Sequence, residues 1–398
     1  MRSLNDVVFV SAVRTPMGSF GGTMKDMQVY DIGAFPVREA LKRANVVGDD
    51  VDEAIIGNCR QAGNHVNPGR TVALKGGCNP LIPGVTINKA CPAGMKTATM
   101  AVSQIVMEQA DIVLCGGMES MSTIPYMLKG ARFGGFKMGD RKLEDGWGDS
   151  FDPIAKVSMG MTAENVGEKY GITRQEMDEY AAGSQQRAQA AADNGWFDNE
   201  IIPVTIPGTR KKPEFQFIAD ESIKAGSTAE VLSKLRPAFK KEGGKVTAGN
   251  SCGLTDGSAM MIAMTREAAA ARGVKPLFSM VDFTQTAVDG TFMGEGPGEA
   301  IPKVLQRAGM SLSDIDIFEI NEAFAAQVLG NVARLNLDVG KLNLHGGAIA
   351  LGHPTGCSGA RIMVTLYNVL KRLDKEFGVA SICGGGGATM AVIIKREN

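Results

Sequence analysis

Histidine is scarce in this chain: only His65, His345 and His353 occur among 398 residues. A surplus of positive charge is missing as well, since 42 Lys+Arg stand against 43 Asp+Glu for a formal net charge of -1. Nucleic-acid binders normally carry a basic excess, so the balance argues against nucleic acid as a partner, while leaving room for a local basic patch. No uninterrupted apolar run approaches the roughly 20 residues that a membrane span needs. The opening MRSLNDVVFVSAVRTP lacks the form of a signal peptide. Its apolar stretch is short, has Asp6 before it and Arg14 behind it, and reads as a strand. The seven Cys are odd in number and contain no CxxC pair, which fits neither a disulfide framework nor a zinc site. A reducing cytoplasm is the expected location, where thiols stay free for chemistry.

What is present points to a large α/β protein. A chain of 398 residues exceeds one ordinary core, so two or three structural units are expected. Glycine is abundant, 50 residues, and clusters beside apolar runs. The runs Asp111 to Cys115 and Val379 to Cys383 read as strands buried on both faces. Each is followed by glycines that read as a stop. Two stretches repeat one pattern of strand, reactive turn, helix, strand and glycines. The first runs from Val85 through Cys91 and a helix from about Ala93 to Gln109. The second runs from Leu342 through His353 and a helix from about Gly359 to Arg372. The predicted organisation is a first half (1–120 plus 250–272), an insertion (121–249) and a second half (273–398). Within the insertion, Thr173 and Glu176 form a capping box for a helix from Arg174 to Ala192.

Four side chains stand out for chemistry. Cys91 follows a strand and precedes Pro92, a residue favoured at the start of a helix. The helix dipole there would favour a thiolate and so a nucleophile, although a free Cys is as often a small core residue. His353 lies in the glycine-rich stretch Gly346 to Gly356 before a helix, and imidazole is the natural partner for activating a thiol. His65 reads as a surface residue and His345 as a structural one. Cys383 closes a buried strand and opens onto Gly384 to Gly387, where a thiol can move a proton and backbone amides can hold an oxyanion. Asn321 emerges from the end of the apolar strand Ile315 to Ile320, the usual location for α/β active-site groups.

Together with Gly116-Gly-Met-Glu-Ser-Met-Ser122 and Val246-Thr-Ala-Gly-Asn250, these stretches resemble the thiolase family from end to end, in its order and spacing. The resemblance implies the five-layer α/β/α/β/α thiolase fold of two similar halves with a loop-domain insertion. It also implies the reaction: reversible Claisen condensation of two acetyl-CoA to acetoacetyl-CoA plus CoA, or thiolytic cleavage, through an acyl group on Cys91. His353 would take the Cys91 proton, Cys383 would move the α-proton, and His353 with a water on Asn321 would hold the enolate oxygen. The amides of Cys91 and Gly385 would hold the tetrahedral oxyanion. Coenzyme A enters as substrate and product, with no tightly bound cofactor and no metal. Lys224 is expected near the nucleotide phosphates, Met159 and Phe324 near the pantetheine or acyl end, Met293 at the acyl pocket, and Ser251 with Cys252 beside them. A homodimer or homotetramer is implied.

Some positions depart from the family pattern. Pro92-Ala93 replaces the usual Gly or Ser followed by Ser, Cys252 stands where Ser is common, and Ser158 stands where acetoacetyl-CoA-forming members often carry His. The glycine blocks look most like acetyl-CoA acetyltransferases. Three rivals remain: a degradative 3-ketoacyl-CoA thiolase of broader chain length, a decarboxylating condensing enzyme, and a catalytically quiet relative that binds acyl-CoA or a partner. Cys383 in place of a second His points away from decarboxylation.

Overall fold

The computed structural model describes residues 2–64, 66–210 and 212–398; His65, expected on the surface, lies outside them. Nine strands build the frame: β1 (Val7–Arg14), β2 (Glu53–Gly57), β3 (Gly84–Ile87), β4 (Ile112–Ser120), β5 (Thr255–Thr265), β6 (Phe278–Ala287), β7 (Ile317–Ile320), β8 (Phe377–Cys383) and β9 (Ala388–Arg396). Their spatial order is β7-β8-β9-β6-β1-β5-β4-β2-β3. Read outward from the middle, both sides follow one scheme. Two antiparallel pairings come first, then a parallel one: β1 to β5 to β4 to β2, and β6 to β9 to β8 to β7. Even the outermost β3 has a counterpart, because Leu342 bridges in parallel to Phe318 of β7. The two sides meet at a single register pair, Phe9 opposite Phe278, whose rings stack 4.6 Å apart. The repeat predicted from sequence is thus a repeat of topology.

Near-continuous apolar composition explains why both faces of these strands are covered. Every residue of β1 and of β5 is buried. Helices α1 (Val29–Arg43) and α2 (Pro68–Lys75) cover the outer face of the first side. The inner face carries α3 (Ala93–Val106). In the middle region, α4 (Met159–Lys169) and α5 (Arg174–Asp193) follow. The second side has α6 (Gly296–Ala308) and α7 (Ala325–Leu335), and α8 (Thr355–Arg372) packs on α3 between the two sheets. One hydrophobic core joins Phe9, Met95 and Ile105 of the first side to Ile362, Leu366 and Ile382 of the second. The layers are therefore helix, sheet, helix, sheet, helix.

The stretch between β4 and β5 adds only two-stranded pieces to the sheet inventory. It is tied to β1 by the buried Arg14, whose Nε reaches Glu200 at 2.7 Å and whose guanidinium reaches both Asp220 oxygens at 2.7 and 2.8 Å. The capping box of α5 is present: the Thr173 amide donates to Glu176 at 2.7 Å, and the Glu176 amide donates to the Thr173 hydroxyl at 3.2 Å. Among the described residues, no helix is long and apolar enough to cross a membrane.

Two expectations shift. Helix α8 begins at Thr355, four residues before the predicted Gly359, because Pro354 serves as its cap and the glycines after it fit helix. The strand through Cys115 does not stop at Gly116-Gly117 but runs to Ser120. Gly117 is a close-packing residue: a β-carbon there would collide with the Gly356 carbonyl oxygen of α8. The same holds where the central helices cross. A β-carbon on Gly94 would sit 2.8 Å from the Ala360 nitrogen, and one on Gly359 would collide with the Met95 nitrogen. Gly359→Ala therefore reverses the usual sign of a helical Gly→Ala change, which is normally worth up to about 1 kcal/mol of gain. We expect a loss of about 1–3 kcal/mol in thermal or denaturant unfolding, the cost of overpacking a core; an unchanged or raised midpoint would refute the tight crossing.

Candidate active site

Both central helices begin at the same end of the molecule, and each presents a reactive residue just before its first turn. On the first side, the Asn88 side chain shapes the turn: its Nδ2 donates to the Cys59 carbonyl at 3.0 Å and its Oδ1 accepts from the Ala90 amide at 3.0 Å. Ala90 takes a left-handed φ of 50°, a conformation a β-carbon disfavours. The Ala93 amide then closes onto the Ala90 carbonyl at 3.0 Å. This sharp bend leaves Cys91 half-buried, with Pro92 as the cap of α3. The amides of Gly385 and of Cys91 itself point at its sulfur.

Burial nevertheless pushes the Cys91 thiol up to about 11, with the Gly385 amide and Arg60 acting in the opposite direction. The helix dipole by itself favours a thiolate. Loss of hydration outweighs it, because the sulfur is enclosed by side chains before the dipole can act through solvent. The resting group at neutral pH is the thiol.

On the second side, the His353 amide is held by the Gly253 carbonyl at 3.1 Å and the Thr255 hydroxyl at 3.0 Å. Its Nδ1 lies 2.6 Å from the Ser358 hydroxyl, which itself donates to the Pro354 carbonyl at 3.0 Å. With the hydroxyl proton spent on Pro354, the serine oxygen accepts Nδ1–H, which assigns the free lone pair to Nε2. That Nε2 is buried and has no hydrogen-bond partner among the described residues. Burial, with Arg361 and Arg60, lowers the imidazole to about 3. It is a neutral base with its lone pair aimed into the site.

Cys383 closes β8, 1% exposed, and burial raises its thiol, with Cys91 and Cys252 as close sulfur neighbours. Asn321 is also 1% exposed, and neither end of its side-chain amide has a partner among the described residues. Cys91, His353 and Gly385 line one cavity of about 990 Å³, together with Ser251, Cys252, Met159, Phe324 and Met293. Cys383 and Asn321 are not among its lining residues. Lys224 does not reach the cavity: it is exposed, and its backbone amide is held by Gln185 at 2.8 Å. Ser158 lines the cavity and also caps α4, its hydroxyl accepting from the Met161 amide at 3.4 Å. His345 sits elsewhere, accepting from Arg372 at 2.9 Å and stacked on Trp196.

Two carboxylates hold this arrangement: Glu119 of the Gly116 to Ser122 stretch, to which the sequence assigned no role, and Glu322, which forms a polar pair with Asn321 at the strand end. Glu119 accepts from Asn58 at 2.7 Å, from the Cys59 and Arg60 amides at 3.1 and 3.0 Å, and from the Thr355 hydroxyl and Gly356 amide at 2.8 Å each. It thus clamps the loop after β2 to the first turn of α8. Glu322 accepts from Tyr180 at 2.8 Å, Ser184 at 2.6 Å, Asn343 at 3.0 Å and the Ile349 amide at 3.1 Å, joining α5 to the second side. The register pairs Gly57 with Gly117 and Ile320 with Ser381. Counting on from those pairs, Asn58 corresponds to Asn321 and Glu119 to Cys383. Ser358 was also missed, since a serine in the first turn of a helix carries no sequence signal for a histidine partner.

Residues 7–267 match the family model of the thiolase N-terminal domain, and residues 274–396 that of the thiolase C-terminal domain. The chain belongs to the thiolase family. It is 45% identical over 395 residues to a probable acetyl-CoA acyltransferase of Staphylococcus aureus, covering 98% of this thiolase and 99% of that protein. The crystal structure of the Bacillus anthracis acetyl-CoA acetyltransferase superposes with a TM-score of 0.95 at 43% identity, over 98% of each chain. Human mitochondrial 3-ketoacyl-CoA thiolase superposes at 0.94 with 40% identity, over 98% of this chain and 99% of that one. The five-layer fold and the acyltransferase class expected from sequence both stand.

The raised thiol makes a measurable demand. Below its pKa the thiolate fraction grows about tenfold per pH unit. Inactivation of this thiolase by iodoacetamide should therefore keep accelerating, about tenfold per unit, from pH 7 to 9. A plateau reached below pH 8 would mean that Cys91 rests as a thiolate.

Proposed function

We propose that this thiolase cleaves acetoacetyl-CoA with CoA, and runs the reverse condensation of two acetyl-CoA, through an acetyl group carried on Cys91. The observation behind it is that Cys91 and His353 line one cavity, His353 with an Nε2 unpartnered among the described residues, while the buried Cys383 thiol interacts with Cys91 and two amides are aimed at the nucleophile.

In the cleavage direction both thiols start protonated, in keeping with their burial. Cys91 gives its proton to His353 Nε2 as its sulfur attacks the C3 carbonyl of acetoacetyl-CoA. The amides of Cys91 and Gly385 stabilise the resulting oxyanion. The C2–C3 bond then breaks, leaving an acetyl thioester on Cys91 and the enolate of acetyl-CoA. Cys383 donates its proton to that C2 carbon, and acetyl-CoA leaves. Asn321, whose buried amide has unused donor capacity, supports the enolate oxygen together with His353. Incoming CoA thiol returns a proton to Cys383, its sulfur takes the acetyl group, and Cys91 recovers its proton from His353. Every proton is back in place.

Coenzyme A is then substrate and product, its pantetheine arm passing Met159 and Phe324, beside Ser251 and Cys252. Its nucleotide phosphates would lie outside the cavity, where the exposed Lys224 is the candidate contact. Met293 bounds the acyl end. Retention of the whole reactive set disfavours a quiet acyl-CoA binder.

Two variants separate the roles. Cys91→Ala should abolish acetoacetyl-CoA cleavage, followed by loss of its enolate absorbance, and should abolish radiolabelling of the protein by acetyl-CoA; turnover in that variant would refute the assignment. Cys383→Ser should keep acetyl labelling of Cys91 while slowing carbon–carbon bond cleavage by about 100-fold or more, the scale of a lost general acid–base. Equal loss of both steps would show that Cys383 does not act separately.

A further inference from the structure

Glu119 lies on β4, is fully buried, and takes no part in the proton transfers above. Its two oxygens divide the work. Oε1 accepts from the Asn58 side chain and the Arg60 amide at 2.7 and 3.0 Å, both in the loop after β2. Oε2 accepts from the Cys59 amide of that loop at 3.1 Å, and from the Thr355 hydroxyl and Gly356 amide of α8 at 2.8 Å each. One oxygen atom thus fastens a loop of the first half to a helix of the second. Each end of this clamp is a short step from a reacting group. On the loop side, the Cys59 carbonyl accepts from Asn88 Nδ2, and Asn88 Oδ1 accepts from the Ala90 amide, both at 3.0 Å; Ala90 immediately precedes Cys91. On the helix side, Thr355 and Gly356 follow His353 by two and three residues. Ser358, which holds the imidazole Nδ1, is in the same first turn. The approach is close, since a β-carbon on Gly356 would sit 2.8 Å from the Cys59 nitrogen.

We infer that Glu119 is a positioning residue that sets the line between the Cys91 sulfur and His353 Nε2, acting through the two backbones and without touching substrate. This rests on the reading of Cys91 as nucleophile and His353 as its base. Glu119 is not among the residues that line the cavity, so its effect reaches the chemistry only through what it holds. Thiol and imidazole both start neutral, so attack needs sulfur, proton and lone pair aligned together. A misplacement of about 1 Å can cost on the order of 100-fold in rate. Glutamate suits the task by length and by chemistry. Aspartate is one methylene shorter and would reach the loop or the helix, but not both. Glutamine would turn an NH2 group onto backbone amides that can only donate. Charge is not the means of action, because the Glu119 carboxylate acts to raise the Cys91 thiol. Removing that charge would by itself favour attack, so a slower variant reports geometry.

The test measures the single-turnover rate of acetyl transfer from radiolabelled acetyl-CoA to the protein, with folding checked by thermal unfolding. Glu119→Gln should slow the transfer about 10- to 100-fold at saturating acetyl-CoA, while the half-saturating concentration stays within about twofold. Glu119→Asp, which keeps the charge and loses the span, should remain at least about tenfold slow. The deciding comparison is in a His353→Ala background. Groups that act as a unit are not additive, so there Glu119→Gln should cost less than about threefold more. An equal loss in both backgrounds overturns the inference, because Glu119 then acts elsewhere than on the sulfur–imidazole line. Wild-type transfer by folded Glu119→Gln overturns it too, as does full recovery with Asp or a loss confined to half-saturation. Should Glu119→Gln fail to fold, Thr355→Val removes one helix-side bond. It should slow transfer about threefold or more, again only where His353 is present, and an unchanged rate overturns the inference. Absence of acetyl transfer to Cys91 in the wild-type protein, or undiminished transfer in His353→Ala, would instead overturn the underlying functional reading.

Discussion

The close crossing of α3 and α8 is the constraint on which the site depends. Cys91 and His353 come from chain segments more than 250 residues apart, and each sits just before the first turn of its helix. They meet only because those two helices start side by side. Gly94, Gly356 and Gly359 on the helices, with Gly57 and Gly117 on the adjoining strands, leave out β-carbons that would hold the backbones apart. Five unremarkable residues thus set the distance between nucleophile and base. Interiors packed to crystal density transmit such contacts without slack.

The repeat explains how one reactive centre arises from two similar halves. Each half offers an asparagine after its second strand and a position, one strand over, that faces the opposing helix. In the first half the pair is Asn58 and Glu119, and the carboxylate is saturated with donors, including the first turn of α8. In the second half the pair is Asn321 and Cys383, and the polar atoms of the asparagine are left unpartnered among the described residues. One copy of the constellation is a clamp, and the other is the proton-transfer pair of the proposed mechanism. A fully satisfied carboxylate rigidifies, whereas a buried amide with spare capacity can receive a reacting group.

Electrostatics and burial compete at Cys91, and burial wins. A helix start and two amides favour the anion, but enclosure raises the thiol to about 11 while lowering His353 to about 3. A neutral thiol beside a neutral imidazole is less reactive than an ion pair, and it is protected from adventitious alkylation until substrate arrives. In the proposed mechanism, proton transfer accompanies attack, and the developing charge moves onto an oxygen held by the Cys91 and Gly385 amides.

Much of this was legible in the residues themselves. The apolar runs, the glycine-bounded turns and the capping box of α5 follow from local periodicity and cap chemistry, which a sequence carries directly. The candidates Cys91, His353, Cys383 and Asn321 were readable because each sits at a strand end or before a helix, where the fold exposes side chains. Strand and helix limits around Gly117 and Thr355 were misjudged, because there the glycines serve a neighbour far along the chain and not their own segment. Ser358 and Glu119 were invisible as functional groups for the same reason, since their partners are set by the packed structure. By itself the sequence determined the elements, their repeat and the chemistry available. Only the tertiary structure decided which groups meet, which imidazole nitrogen is free and how burial shifts the thiols, because those depend on distances between residues that the chain order leaves unspecified.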